Sequence, residues 1–477
     1  MEKLSREPTH AAIPHIFATH IKLTNLNVLR SYTFDRTGVF KYLVKCLCNV
    51  TGLFSVYAFD EAWNVSKIVY YGLLALNHRG QAGSGMYICG NETKILEGGG
   101  DVERSYNVEK LLEIEGWYGV GWVTTPLVEG KNIIHKHHND VEYLVASYSP
   151  IVDIEDKIIE CVEAALKDVD NGSEMLNELS EKVKRPLTLI AVSSNNEVLV
   201  YRDPSGLKPM QIGAYGFDLA VASSESCAIE CVGADLRSDV DPGSCVKICK
   251  YSVERSKTRK IGCVCALEYI YYSRLDSTID NVPIYRFRRE LARRAAERFN
   301  LKDYDIVVGI PETGIIYALE YARVLGLEYY IGFVQTGRRV RSALVEDILE
   351  RMIGVQLKMS PIRPVLAGKN VLLVDDSILK GVTLRSIVQY LRNRIGTCRT
   401  SVLIMSPPIV RKCPFYMEVP DESELICANV PRSELAEVLN VDEIYFTELE
   451  DIYETFKVFN IDEDRVCTYC MGGRSPW

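Results

Sequence analysis

The sequence predicts two architectures in series: an α+β layer domain, then an α/β domain built on a doubly wound parallel sheet. Three observations carry this reading. From Thr51 the chain runs in short strand-like segments that alternate apolar and polar residues, with helical stretches between them. From about Arg286 the pattern changes to buried apolar runs separated by helical segments, as in a parallel sheet with helical crossovers. The length, 477 residues, is enough for two or three domains that each bury a core.

Residues 1–50 show no clear period and read as an N-terminal extension. Residues 51–265 form the first domain, with strands at Gly52-Leu-Phe-Ser-Val-Tyr-Ala-Phe, Glu142-Tyr-Leu-Val-Ala-Ser-Tyr, Leu187-Thr-Leu-Ile-Ala-Val and Glu197-Val-Leu-Val-Tyr, and a helix near Ile154–Leu166. Residues 266–460 form the second. Its apolar runs are Asp305-Ile-Val-Val-Gly-Ile, Tyr329-Tyr-Ile-Gly-Phe-Val, Asn370-Val-Leu-Leu-Val and Ser401-Val-Leu-Ile-Met. Helices are expected at Ile315–Leu325 and again after residue 381, where Leu384, Ile387, Val388 and Leu391 share one face. Residues 461–477 are a cysteine-containing tail.

Hydrophobic residues make up 47% of the chain and charged residues 25%, an ordinary globular composition that excludes a disordered or collagen-like chain. No window approaches eighteen uninterrupted apolar residues, so no membrane span is expected. The formal charge of −9 gives no electrostatic reason to expect nucleic acid as a partner. The start, Met1-Glu-Lys-Leu-Ser-Arg-Glu, has no apolar signal core, so a cytoplasmic protein is expected. Its 15 cysteines are then reduced or metal-bound rather than paired in disulfides.

The most informative segment runs from Val371 to Thr383. An apolar strand ends in Asp375 and Asp376, and Ser377-Ile-Leu-Lys380-Gly381-Val leads into a helix that carries Thr383. Ligands of open parallel sheets bind beyond the carboxyl ends of the strands. Free N–H groups at a helix start, with the Thr383 hydroxyl, suit a phosphate. Adjacent acids suit ribose hydroxyls or a hydrated Mg²⁺. Capping alone would account for acids near a helix N-terminus, but not for the whole strand–acid–acid–loop arrangement.

This stretch resembles the phosphoribosyl pyrophosphate (PRPP) motif of type I phosphoribosyltransferases, in the form found in the amidophosphoribosyltransferase family. The resemblance extends through Tyr70-Tyr-Gly-Leu, His78-Arg-Gly-Gln, Asp203-Pro-Ser-Gly-Leu-Lys-Pro, Val240-Asp-Pro-Gly, Leu267-Glu-Tyr-Ile-Tyr-Tyr-Ser-Arg, Ile310-Pro-Glu-Thr-Gly and Ser406-Pro-Pro-Ile, in the family's order. It implies an N-terminal-nucleophile-hydrolase-like αββα glutaminase domain joined to a phosphoribosyltransferase domain. The implied activity makes 5-phosphoribosylamine from PRPP and glutamine, the first committed step of purine synthesis. Purine nucleotides and a homo-oligomeric assembly come with the resemblance.

The glutaminase motifs depart from the family's pattern. Thr51, in Thr51-Gly-Leu-Phe-Ser, stands at the nucleophile position where the family has an N-terminal cysteine, and about fifty residues precede it. Cys48 does not fit the motif. Trp122 takes the place of the arginine that holds the glutamine carboxylate, and Tyr148-Ser149 takes that of the oxyanion-hole pair Asn-Gly. The motif that binds the substrate amine has no match; Asn171-Gly-Ser-Glu is nearest and lacks the aspartate. Glutamine hydrolysis is therefore not expected. His78 and Arg79 are read as supports of the fold, and His135, His137 and His138 as a solvated segment.

The transferase motifs are better kept. By resemblance, Asp375 and Asp376 contact the ribose of PRPP and share Mg²⁺ with the Thr313 hydroxyl, while Ser377, Lys380, Gly381 and Thr383 cradle the 5-phosphate. Lys358 and Lys369 match lysines that balance pyrophosphate charge. Lys380 and Val382 replace an arginine and a threonine of the family's loop, and the closing loop reads Gln335-Thr-Gly337-Arg338-Arg339-Val-Arg341-Ser. Arg338 replaces the family's ammonia-channel tyrosine.

Cys467-Thr-Tyr-Cys470 alone is a C-x-x-C compatible with zinc, iron–sulfur or redox chemistry. With Cys265 and Cys413 it matches the four thiolates that hold a [4Fe–4S] cluster in iron–sulfur members of the family; zinc suits the same donors. The expected cofactors are thus Mg²⁺ and a [4Fe–4S] cluster. The expected function is PRPP-dependent amine transfer using free ammonia or ammonia from a glutaminase partner. The alternative is a non-catalytic protein that binds PRPP or nucleotides, or that partners an authentic amidophosphoribosyltransferase.

Overall fold

A computed structural model describes residues 49–125, 131–335 and 359–475. The strand Asn49–Ala58 runs through the middle of a seven-stranded antiparallel sheet, between Leu219–Ser223 and Tyr118–Thr125. Its period of two divides its side chains between two faces. Phe54, Val56 and Ala58 pack with Val69, Tyr70 and Leu73 of the helix Ser66–Ala75. Val50, Leu53 and Tyr57 point the other way, into a core shared with Leu144, Ile190 and Val200 of a six-stranded antiparallel sheet. The far face of that second sheet is covered by Glu155–Lys167 and Val169–Val183 through Ile158, Ile159, Val162 and Leu176. The layers are therefore α, β, β, α, with the central strands of both sheets buried on both faces.

In the second half, Ile306–Gly309, Asn370–Asp375, Arg399–Ile404 and Ile444–Phe446 form a parallel sheet in that order. Val307, Leu372, Val374 and Leu403 pack against helices Ile284–Arg298 and Gly314–Leu325. Ile306, Val308, Leu373 and Ile404 pack on the other side against Leu384, Ile387 and Val388 of the helix Val382–Tyr390. Helices on both faces make this the expected doubly wound sheet.

One expected strand is not formed as such. The run Tyr329–Val334 adds only a bridge from Tyr329 to Val307 and a short strand, Phe333–Gln335, that pairs antiparallel with Met359–Pro361. Tyr330 and Ile331 are 44% and 64% exposed. The apolar run lies at the sheet's edge, where one side of a strand has no neighbour to bury it.

Gly314 sets how closely its helix meets the acid-bearing strand. A Cβ there would lie 2.3 Å from the carbonyl oxygen of Val374. Gly314→Ala is expected to destabilise the protein by about 1–3 kcal/mol through overpacking, read as a lower midpoint in urea unfolding.

Candidate functional site

Asp375 closes the strand Asn370–Asp375, and the loop from Asp376 to Lys380 carries the chain to the helix Val382–Tyr390. Gly381, at φ +73°, caps that helix in the left-handed region that glycine occupies without penalty. Asp376 is buried, and its Oδ1 accepts a hydrogen bond of 2.6 Å from the Ser377 hydroxyl. The neighbouring parallel strand ends at Gly309, opposite Val374. This register brings the loop Pro311-Glu312-Thr313 alongside the acids. Burial raises the Asp376 carboxyl to about 6, although Ser377, Arg288 and the Thr313 hydroxyl each pull it down. Asp375 is pushed well up by burial and by Asp376.

Adjacent acids whose carboxyls are both pushed up, Asp375 partly by the charge of Asp376, are poised for a cation and a polyhydroxylated ligand. Two carboxylates and one hydroxyl fit Mg²⁺, which keeps several of its own waters and needs few protein ligands. Among the described residues no three His, Cys, Asp or Glu side chains converge closely enough to hold a single ion by themselves.

Arg288 and Tyr271 are also coupled electrostatically to this site; Tyr271 lies in the family-like segment Leu267–Arg274 without standing out there, and Arg288 lies in no motif. Arg288, 3% exposed on the helix Ile284–Arg298, donates to the carbonyls of Tyr269 (2.9 Å), Tyr271 (3.0 Å) and Ser273 (2.6 Å). It thereby fixes the segment that presents Tyr271. Although the residue as a whole is 46% exposed, desolvation of its hydroxyl raises the Tyr271 phenol, and the charges of Asp376, Glu418 and Asp375 raise it further.

The predicted basic residues are dispersed. Lys380 is at the loop, but its ammonium pairs with Glu424. Thr383 is exposed on the first turn of the helix. Lys369 precedes the strand Asn370–Asp375 and is separated from Asp375 by its whole length, about 20 Å at 3.3 Å per residue. The expected pyrophosphate contact is thus not formed by Lys369, because the strand carries it to the opposite end of the sheet. Lys358, Gly337, Arg338, Arg339 and Arg341 lie outside the described residues.

The nucleophile position is built into the sheet. Thr51 is 5% exposed, follows Asn49 and Val50 in the same strand, and donates its hydroxyl to the Arg79 carbonyl at 2.6 Å. Trp122 and Tyr148 are 3% and 1% exposed and belong to the apolar core between the sheets. The Trp122 ring lies 2.1 Å from where a Cβ on Gly85 would be, so it fills the gap over that glycine. The Tyr148 hydroxyl is bonded to Ser224, and the Ser149 hydroxyl donates to the Pro186 carbonyl at 2.7 Å.

Residues 283–412 match the phosphoribosyl transferase domain family. An amidophosphoribosyltransferase of Methanocaldococcus jannaschii is 30% identical over 468 residues, covering 89% of this chain and 97% of that protein. The chain belongs to the amidophosphoribosyltransferase family. The family member of Bacillus subtilis is 28% identical over 460 residues, 91% of this chain and 95% of the relative. The solved Bacillus subtilis glutamine PRPP amidotransferase, complexed with ADP and GMP, matches with a TM-score of 0.75 at 27% identity, covering 89% of this chain and 97% of that one.

Within this amidophosphoribosyltransferase-family chain, a buried network joins the two halves. The Arg79 side chain, 1% exposed, donates Nε to the Thr51 carbonyl at 2.7 Å, one amino group to Glu225 and the other to Glu268 at 2.6 Å. Glu225 also accepts from His78 Nε2 at 2.8 Å, the Ser277 hydroxyl at 2.7 Å and the Arg274 N–H at 2.9 Å. Burial works to raise the Glu225 carboxyl, but His78 and Arg79 hold it well below the usual range.

All four predicted cysteines line one cavity. Cys265 and Cys467 are register partners in a two-stranded parallel ladder. The Cys470 carbonyl accepts from Val410 N–H at 2.8 Å and Arg411 N–H at 3.1 Å, which draws in the loop bearing Cys413. Leu207, Phe415, Met417 and Tyr469 complete the wall with Lys208. Burial raises all four thiols, Cys467 to about 12.

A single zinc needs its four sulfurs about 3.8 Å apart to keep Zn–S near 2.3 Å. A [4Fe–4S] cluster binds each thiolate to a different iron and accepts a wider ring. Four thiols around a largely apolar cavity are a donor set whose chemistry suits soft metals, a cluster or zinc alike. Among the described residues no helix is long and apolar enough to cross a membrane.

Proposed function

We propose that this chain is a glycosyltransferase of purine biosynthesis that transfers ammonia to PRPP, releasing pyrophosphate and forming 5-phosphoribosylamine without hydrolysing glutamine itself. The observation that carries the reading is a contrast between the two sites. The acid pair meets the Ser377 hydroxyl at the carboxyl end of the parallel sheet, whereas Thr51, Trp122 and Tyr148 are committed to packing and internal hydrogen bonds.

Loss of pyrophosphate from the anomeric carbon builds positive charge on the ribose, so the protein's contribution is placement and charge stabilisation. Asp375 and Asp376 orient the ribose hydroxyls, and Thr313 and Ser377 fix the carboxylates. Asp375, Asp376 and Thr313 would hold Mg²⁺, which would balance pyrophosphate charge when bound with PRPP. The loop from Ser377 to Thr383 receives the 5-phosphate on N–H groups at the helix start. Cys265, Cys413, Cys467 and Cys470 would hold a [4Fe–4S] cluster that ties the tail to both halves. Purine nucleotides are candidate ligands as well, since the Bacillus subtilis relative was solved with ADP and GMP. Ammonia comes from solution or from a glutaminase partner.

With PRPP and Mg²⁺, the purified protein is expected to release pyrophosphate when ammonium is added and not when glutamine is added. Turnover with glutamine alone would overturn the reading of the first domain, and no turnover with either would overturn the transferase reading.

A further inference from the structure

We propose that Lys208 is the charge-compensating residue of the four-thiol cavity, holding an electropositive group against a bound cluster. The inference rests on the cluster reading above. Lys208 is 3% exposed and lines the same cavity as Cys265, Cys413, Cys467 and Cys470. An ammonium has three donors, yet among the described residues this one makes a single hydrogen bond, to the Tyr416 carbonyl at 3.3 Å. No carboxylate among those residues is paired with it. The Tyr148 ring lies 5.5 Å from its Nζ and contributes a cation–π contact, which stabilises a cation without neutralising it.

A buried charge without a counter-ion is costly, and the remaining polar groups of the cavity wall are the four thiols and the Tyr469 phenol. A cluster held by four thiolates carries net negative charge, which supplies the missing counter-ion. The position of Lys208 is itself well defined. The Thr188 hydroxyl donates to Asp203 at 2.6 Å, and Gly206, at φ +67°, turns the chain so that Leu207 and Lys208 face the cavity. Tyr148, which stands at the family's oxyanion position, is here part of the lysine's surroundings. The residue that departs from the glutaminase motif therefore has a second use.

Positive charge beside an iron–sulfur cluster favours its reduced form. The test uses the full chain purified anaerobically as wild type, Lys208→Met and Lys208→Arg. It measures iron and acid-labile sulfide, the cluster's reduction potential by a titration followed by electron paramagnetic resonance, and the rate of cluster loss in air. Wild type is expected to hold about four irons per chain. Lys208→Met is expected to shift the potential to more negative values and to lose its cluster several-fold faster, and Lys208→Arg to restore both. If Lys208→Met retains no cluster at all, recovery of iron in Lys208→Arg supports the proposal equally. Equal potentials and equal loss rates in wild type and Lys208→Met would overturn the proposal, as would an arginine variant that behaves like the methionine one. A wild-type protein with one iron or none would overturn the cluster reading itself, and the two failures are thus told apart.

Discussion

Asp376→Asn is expected to lower ammonium-dependent pyrophosphate release by about 10²-fold or more while leaving the thermal unfolding midpoint at or above that of wild type. Asparagine keeps the shape of the side chain and one oxygen that can accept the 2.6 Å bond from Ser377. It removes the charge that a metal–PRPP complex needs. The loss is placed on the reaction rather than the fold because the two adjacent carboxyls repel in the apo protein, where both are pushed up by burial. Neutralising one of them relieves that repulsion. Initial-rate measurements paired with calorimetry would check this result. A variant that unfolds early would show instead that Asp376 is chiefly structural.

Arg79→Met is expected to destabilise the protein by about 3–5 kcal/mol, since it leaves two buried carboxylates, Glu225 and Glu268, without the cation that both use. The sign of the pH dependence follows from Glu225. Its folded carboxyl is held well below its ordinary value by His78 and Arg79 against the effect of burial. The stability it contributes is therefore present above the unfolded value of about 4.3 and is lost as pH falls through the folded value. The gap between wild type and Arg79→Met is thus widest near neutral pH and narrows on acidification, as protonation relieves the orphaned acid. Denaturant melts across pH 4–8 would check it. A constant gap would indicate that packing of Arg79 against the Tyr272 ring, 5.5 Å from its guanidinium, matters more than its charge.

The strand Asn49–Ala58 is a central member of its seven-stranded sheet. Thr51, at the nucleophile position, gives its hydroxyl to the Arg79 carbonyl and accepts the Arg79 Nε–H on its own carbonyl. Through Arg79 it is connected to Glu268, in the segment that also carries Tyr271 toward the acid pair.

Whatever is contiguous in this chain could be read directly from its residues. The strand–acid–acid–loop–helix run from Val371 to Thr383 is legible because its ligands are neighbours in the chain. The period of two in the first half and the buried runs of the second follow from side-chain geometry within single elements. The departures at Thr51, Trp122 and Tyr148 are equally local, and Cys265 and Cys413 could each be matched by their flanking residues, with Cys467 and Cys470 matched as a pair. Which distant groups meet was settled by folding alone. Arg79 pairs with acids 146 and 189 residues away, and Arg288, whose charge pulls the Asp376 carboxyl down, comes from a helix that no motif singled out. Lys369 stands six residues before Asp375 in the sequence, but an extended strand turns that separation into the full height of the sheet. Lys208 stood within a recognised motif as one basic residue among many, and its burial beside four thiols appeared only once 265, 413, 467 and 470 had been brought together. One cause underlies all of these cases: local geometry is written in adjacent residues, whereas charge pairing and burial depend on contacts that the chain makes only after it has folded.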